Sequence, residues 1–327
     1  MAKAGHRVFR SIDDTDYTDK YKQLFRLLEQ LTLDTMGTYS DITFRDLKNM
    51  IEQYNEHKVI GISDPEEFKD HPDYKYDQVV AAFIQGCNGE LSPWKEIQHL
   101  PNPIALRSIV KTPIMNQCRE QGRDFYYIDT GYFGNYGKAK TWHRITKNAM
   151  QYLGPIIDRP DDRFKQTETK LVPFRSGKKK YKGSRILVCP PSEKAMRNGW
   201  GLDLNEWLDE TVATLKQHTD REIIIREKKI RHERQLHDTI EDALKDDIYC
   251  MVTYNSIAAI EALIYGKPVF ALGPNAAHHF AKHDLSEIED PLIPDDDEVY
   301  KFFCHLAYCQ YTKTEMLNGT AWAMLNE

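Results

Sequence analysis

Between Arg185 and Leu272 four short apolar runs alternate with amphipathic stretches, and this alternation admits few folds. The runs are Arg185–Cys189, Glu222–Arg226, Ile248–Val252 and Lys267–Leu272. Each has the length of a strand. They are followed by Pro190-Pro191-Ser192, by a basic cluster starting at Arg226, by Tyr254-Asn255-Ser256 and by Gly273-Pro274. Between them, Asp203–Gln217 repeats Leu204, Trp207, Leu208, Val212 and Leu215 at helical spacing, Leu236–Lys245 has an acidic outer face, and Ser256–Tyr265 closes at Gly266. Apolar strands joined by helices bury both faces of a parallel sheet with right-handed crossovers. Such sheets bind ligands beyond the carboxyl ends of their strands.

The first half repeats this logic less regularly. Asp19–Leu33 and Thr43–His57 show helical spacing, and Lys58–Ile62 reads as a strand. The apolar run inside Tyr76–Gln85 is expected to be a buried parallel strand ending at Gly86. Asn102–Arg107 is a further strand, Ile109–Gln121 a helix interrupted near Pro113, and Phe125–Ile128 a third strand leading into Asp129-Thr130-Gly131. Asp158–Gly183 breaks the pattern and reads as a long connection with strand fragments. Asp296–Gln310 reads as the last helix, with the residues around Trp322 packing back on the body.

Charge is unevenly spread. The whole chain carries −6, yet Pro101–Arg185 holds 18 lysines and arginines against 7 aspartates and glutamates. Such a segment is either a solvated basic connection or a surface for phosphates or a polyanion. Within it Lys138, Lys140, Trp142, Arg144 and Lys147 interleave cations with an aromatic ring. With Arg107, Lys111, Arg175, Lys178, Lys179, Lys180 and Lys182 they are candidates for a groove that follows a phosphate backbone.

The chemistry-bearing residues fall at strand ends. Asn255 or Ser256 caps the helix after the third run, where backbone amides and the positive helix end suit a phosphate. Arg226 and Lys228 sit on the same rim as Ser192 and supply countercharge. Glu261, in an apolar helix, is either a buried carboxylate paired with a cation or a partner for a ribose or sugar hydroxyl. Asp129 is either a turn cap or a general base, with Tyr132 and His143 as weaker alternates. His278, His279 and His283 lack the carboxylate or cysteine partners of a metal site, so no metal is expected. Six cysteines without a CxxC pair, no signal-peptide core and no long apolar span are the marks of a reduced, cytoplasmic protein.

The string TYNSIAAIEALIYGKPVFALG, residues 253–273, resembles the nucleotide-sugar segment of GT-B glycosyltransferases, above all capsule-type Kdo transferases. Glu227-Lys228 stands where those enzymes carry a His-Pro pair. The resemblance implies an α/β chain with two Rossmann-like domains facing a cleft. Residues 1–184 would form the acceptor domain with its basic connection, 185–310 the nucleotide-sugar domain, and 311–327 a tail packed on the body. It implies a UDP- or CMP-linked sugar donor held by Pro191, Ser192, Arg226, Lys228, Tyr254, Asn255, Ser256, Glu261 and Gly273, without metal or cofactor. The stretches FYYIDTGYFGN and WHRITKNAMQ also resemble phage-encoded proteins, a group that includes transferases acting on hydroxymethylated DNA pyrimidines. That second resemblance implies double-stranded DNA with modified bases as acceptor. The alternatives are a surface-polysaccharide transferase and a non-catalytic nucleic-acid binder.

Overall fold

The computed structural model describes residues 57–63, 77–135, 141–174, 183–226, 240–245 and 247–326. The chain divides into two compact units, Met1–His57 and Lys58–Glu327. Except for His57, everything described belongs to the second. The helices expected over 19–33 and 43–57 lie outside the described residues, His57 apart.

The first sheet is built from β1 (Ile60–Ile62), β2 (Glu90–Ser92), β3 (Ile104–Arg107), β4 (Phe125–Thr130) and β5 (Trp142–Lys147). Between them run α1 (Gln78–Gly86), α2 (Trp94–Ile97) and α3 (Thr112–Glu120), and α4 (Asp162–Gln166) follows. The second sheet takes β6 (Arg185–Val188), β7 (Glu222–Ile225), β8 (Ile248–Thr253), β9 (Val269–Ala271) and β10 (Ala281–Lys282). Its helices are α5 (Glu193–Ala195), α6 (Leu204–His218), α7 (Ile240–Lys245) and α8 (Ala258–Ile264). The chain ends with α9 (Asp296–Ala307), β11 (Gln310–Thr312), α10 (Lys313–Leu317) and α11 (Thr320–Leu325).

The second sheet is parallel throughout, in the order β10-β9-β8-β6-β7. β8 is buried along its whole length, as a central strand covered on both faces must be. Asp203 starts α6 by accepting from the amides of Asn205 and Glu206, and the helix buries Trp207, Thr211 and Leu215. The first sheet runs β11-β5-β4-β3-β1-β2. β1 to β4 are parallel, whereas β5 and β11 join by antiparallel pairing. In each parallel set the first strand lies between the second and third, so the winding reverses there. This doubly wound order makes a crevice at the carboxyl ends of the first and third strands.

One expected strand is a helix. The run Val79–Ile84 forms α1, because the Asp77 carboxylate accepts from the amides of Val79 and Val80 at 2.9 and 3.1 Å. Its apolar residues are continuous because the helix has the sheet on one side and the returning chain on another. Phe83 lies in one cluster with Tyr126, Tyr311 and Met316. A Cβ at Gly86 would fall 1.8 Å from the Met316 carbonyl oxygen, so α1 and α10 approach at van der Waals range only through a glycine. Trp322 closes this face, 5.5 Å from Tyr126 and 6.0 Å from Phe83 between ring centroids.

β5 has no counterpart among the strands expected from the sequence. Its buried residues include His143, Arg144 and Thr146, so it lacks a strand's apolar signature. Pairing across the ladder holds it in place: Arg144 stands opposite Asp129, and His143 opposite Thr130 and Tyr311.

Candidate functional site

At the carboxyl rim of the second sheet the reversal falls between β6 and β8. On the β6 side, Pro190 and Pro191 are buried and Ser192 caps α5, its hydroxyl accepting from the Ala195 amide at 3.3 Å. On the β8 side, the buried Thr253 hydroxyl donates to the Cys189 carbonyl at 2.6 Å and accepts from the Ser256 amide at 3.3 Å. The Ser256 hydroxyl accepts from Ala258, and Asn275 donates to the Ser256 carbonyl at 2.9 Å. Two of the amides expected to face a ligand, those of Ser256 and Ala258, are therefore engaged within the loop. Tyr254 packs edge-on to Trp200 and Trp207, and Gly273 lies under it, where a Cβ would come within 2.6 Å of the ring.

Arg226 follows β7 on this rim, its amide donating to the Val188 carbonyl at 2.8 Å. Burial pushes the Cys189 thiol up to about 12, with Arg226 lowering it and Glu261 raising it. A cation and an anion thus act on one buried atom at the reversal point. Lys228 lies outside the described residues, as do Lys138, Lys140, Arg175, Lys178, Lys179, Lys180 and Lys182.

The rim of the first sheet holds a second polar cluster. Arg107, at the end of β3, pairs with Asp77 at 3.2 Å. Asp129, at the end of β4, pairs with Arg144 at 2.8 Å and also accepts from the Tyr127 hydroxyl and the Thr130 amide. Burial opposes the charge on Asp129, but Arg144, the Thr130 amide and Tyr127 outweigh it and hold the carboxyl below its ordinary range. The side chain remains 36% exposed. His143 is 4% exposed. Burial first, and Arg107 second, push it down to about 4, against Asp77, Asp129 and the Thr141 carbonyl, so the ring is neutral at physiological pH. Its Nδ1 makes no hydrogen bond of good geometry among the described residues.

The remaining first-half candidates are structural in their contacts. The Tyr132 hydroxyl is buried and accepts from the Tyr152 amide at 2.7 Å. Trp142 is 5% exposed and Arg144 7% exposed, so neither offers a surface to a nucleic acid. Lys147 pairs with Asp124 at 2.6 Å, and Lys111 also has a partner.

The two rims touch. A Cβ at Gly199, in the turn after α5, would lie 3.0 Å from Ile109 in the turn after β3. Trp200 packs on the cores of both sheets. Gln151, 6% exposed, donates to the Asn255 carbonyl and accepts from the Ala276 amide at 3.0 Å. Asp77 follows a recognisable sequence pattern, a capping residue before an apolar run. Gln151, Thr253 and Asn275 have no such signal, because their partners are main-chain groups of other segments.

These two linked, doubly wound α/β sheets define the class of protein by architecture. No protein-family model matches the chain, and no curated protein matches it. Among solved structures, KpsC from Thermosulfurimonas dismutans is similar in two parts. Its β-Kdo 2,7 transferase is 12% identical, with 83% of this chain and 99% of that one covered and a TM-score of 0.45. Its β-Kdo 2,4 transferase is 14% identical, with coverage of 76% and 90% and a TM-score of 0.40.

Proposed function

We propose that the protein is a glycosyltransferase that takes a sugar from a nucleotide donor to a saccharide hydroxyl, in the manner of surface-polysaccharide enzymes. The observation that supports this most is the contact between the two carboxyl rims, each at the reversal point of a doubly wound sheet, where such folds bind ligands. The donor's nucleotide occupies the rim around Ser192, Arg226, Tyr254, Ser256 and Gly273. Arg226 offsets the charge that gathers on the departing phosphate. The acceptor lies over Asp129, whose partly exposed carboxylate takes the hydroxyl proton as the oxygen attacks the anomeric carbon.

A saccharide acceptor is favoured over DNA because three of the cations expected to line a groove for DNA have internal partners. Arg107 is held by Asp77, Arg144 by Asp129 and Lys147 by Asp124. The test is a thermal-shift screen with CMP, UMP, UDP, GDP and their sugars. Transfer from the stabilising donor to oligosaccharides and to hydroxymethylcytosine DNA is then compared. Transfer to the saccharide alone is expected. Transfer to DNA alone reinstates the nucleic-acid acceptor, and no stabilisation by any nucleotide removes the transferase reading.

A further inference from the structure

We propose that a depression at the amino end of the first sheet, away from the rim described above, binds a phosphate group through Arg123. The depression has a volume of about 380 Å³ and is lined by Gln98, His99, Leu100, Pro101, Gln121, Gly122 and Arg123. Arg123 lies two residues before β4 and is 6% exposed. Its Nε donates to the Asn102 carbonyl and its Nη1 to the Ile97 carbonyl at 3.1 Å. Its guanidinium carbon lies 5.2 Å from the centroid of the Trp94 ring. The remaining nitrogen, Nη2, is buried and has no partner among the described residues.

The charge balance is the unusual part. No aspartate or glutamate among the described residues pairs with Arg123, and the ionisable group that acts on it there is the Cys118 thiol. Burial lowers the tendency of the guanidinium to stay charged, yet arginine does not give up its proton in proteins. An unpaired buried cation is strongly unfavourable, and carbonyl dipoles and an aromatic face offset this only in part. An oxyanion at the wall supplies the missing countercharge. It would lie beside the Gln98, His99 and Gln121 side chains that line the same depression. A phosphate suits a depression whose wall is built from two chain segments, 98–101 and 121–123. This site is independent of the transferase reading and shares no residue with it.

The experiment compares thermal unfolding of the full chain in inorganic phosphate, in glycerol 3-phosphate and in chloride at equal ionic strength. Two variants are included, Arg123→Met and Gln121→Glu. Gln121 is exposed, so the second variant retains the fold while placing a carboxylate on the wall. Phosphate is expected to raise the parent's melting temperature above its value in chloride. Gln121→Glu is expected to melt higher than the parent in chloride and to lose the response to phosphate. Stabilisation by inorganic phosphate points to the free ion, and stabilisation by glycerol 3-phosphate alone to a phosphate carried on a larger ligand. An unchanged parent overturns the proposal. So does a phosphate response that persists in Gln121→Glu, since phosphate would then be acting elsewhere. Should Arg123→Met fail to fold, Gln121→Glu decides alone.

Discussion

Replacing Asp129 with asparagine separates its counter-ion contact with Arg144 from the base role proposed for it. Arg144 is 8% exposed in its side chain and keeps hydrogen bonds to the Thr130 carbonyl at 2.6 Å and the Met150 carbonyl at 3.2 Å. Neither carbonyl carries charge, so Asp129→Asn leaves a buried guanidinium uncompensated. Breaking a fully buried pair costs about 3–5 kcal/mol. Because Asp129 is 36% exposed, solvent screens part of this, and about 2–3 kcal/mol is expected. For a unit of this size that is a fall of roughly 4–12 °C in melting temperature. Arg144→Met alone should cost a comparable amount, and the double variant less than the sum of the two. The carboxyl is held below its ordinary range in the folded protein, so its stabilisation is complete above the unfolded value near pH 4. It fades as pH falls through the folded-state value, so parent and variant should converge in acid. Circular-dichroism melts at neutral and acid pH measure all of this. A variant that melts within about 1 °C of the parent refutes the counter-ion role. If transfer also falls by about 100-fold or more in that case, the carboxylate acts as a base alone.

Three other expectations follow from internal contacts. Thr253→Val keeps the shape of the side chain but removes its bonds to Cys189 and Ser256. It should lower stability by about 1–3 kcal/mol in urea melts and weaken the proposed nucleotide binding, and unchanged binding would detach this loop from the proposed donor site. His143 and His305 are both pushed down to about 4 by burial. Their neutral folded forms stabilise the protein fully above about pH 6.5, and stability falls by roughly 2 kcal/mol for each ring between pH 6.5 and 5 as the unfolded chain takes up protons. A His143→Gln variant with the parent's pH slope would contradict this. Gly86→Ala drives a Cβ into the Met316 carbonyl and should displace the C-terminal helices, seen as red-shifted Trp322 fluorescence.

Much of the second sheet was legible because parallel strands buried on both faces are written as plain apolar runs, as in Ile248–Thr253. The same simplicity misled at Val79–Ile84, where a helix covered on more than one side has an equally unbroken run, and only Asp77 marks its start. β5 was illegible for the opposite reason. His143, Arg144 and Thr146 are buried through polar pairing with β4 and β11, and their charges read as a surface groove. Of the rim, Tyr254, Asn255, Ser256 and Gly273 stand out because a strand must end and a helix begin there. Gln151 and Asn275 leave no trace in the sequence, since what they bond is the backbone of segments far along the chain.

Gln151 also offers the sharpest test of whether the two rims act as one site. Its amide gives a hydrogen to the Asn255 carbonyl and takes one from the Ala276 amide, so both ends of the group are used. Gln151→Ala removes both bonds and should loosen the loop that follows β8. Gln151→Glu keeps the size and the acceptor but, once ionised, turns an oxygen toward the Asn255 carbonyl. At neutral pH it should therefore be less stable than Gln151→Ala, by about 1–3 kcal/mol for an unmet buried acceptor facing a charge. Protonation restores the donor, so the Gln151→Glu variant should recover relative to Gln151→Ala as pH falls toward 5. The introduced carboxyl then has a raised folded-state value, which places the gain on the acid side. Urea melts of the three proteins at pH 5 and pH 7 decide it. A Gln151→Glu variant equal to the parent at pH 7 would mean that the amide does not hold the Asn255 loop. The second rim would then be positioned without the first.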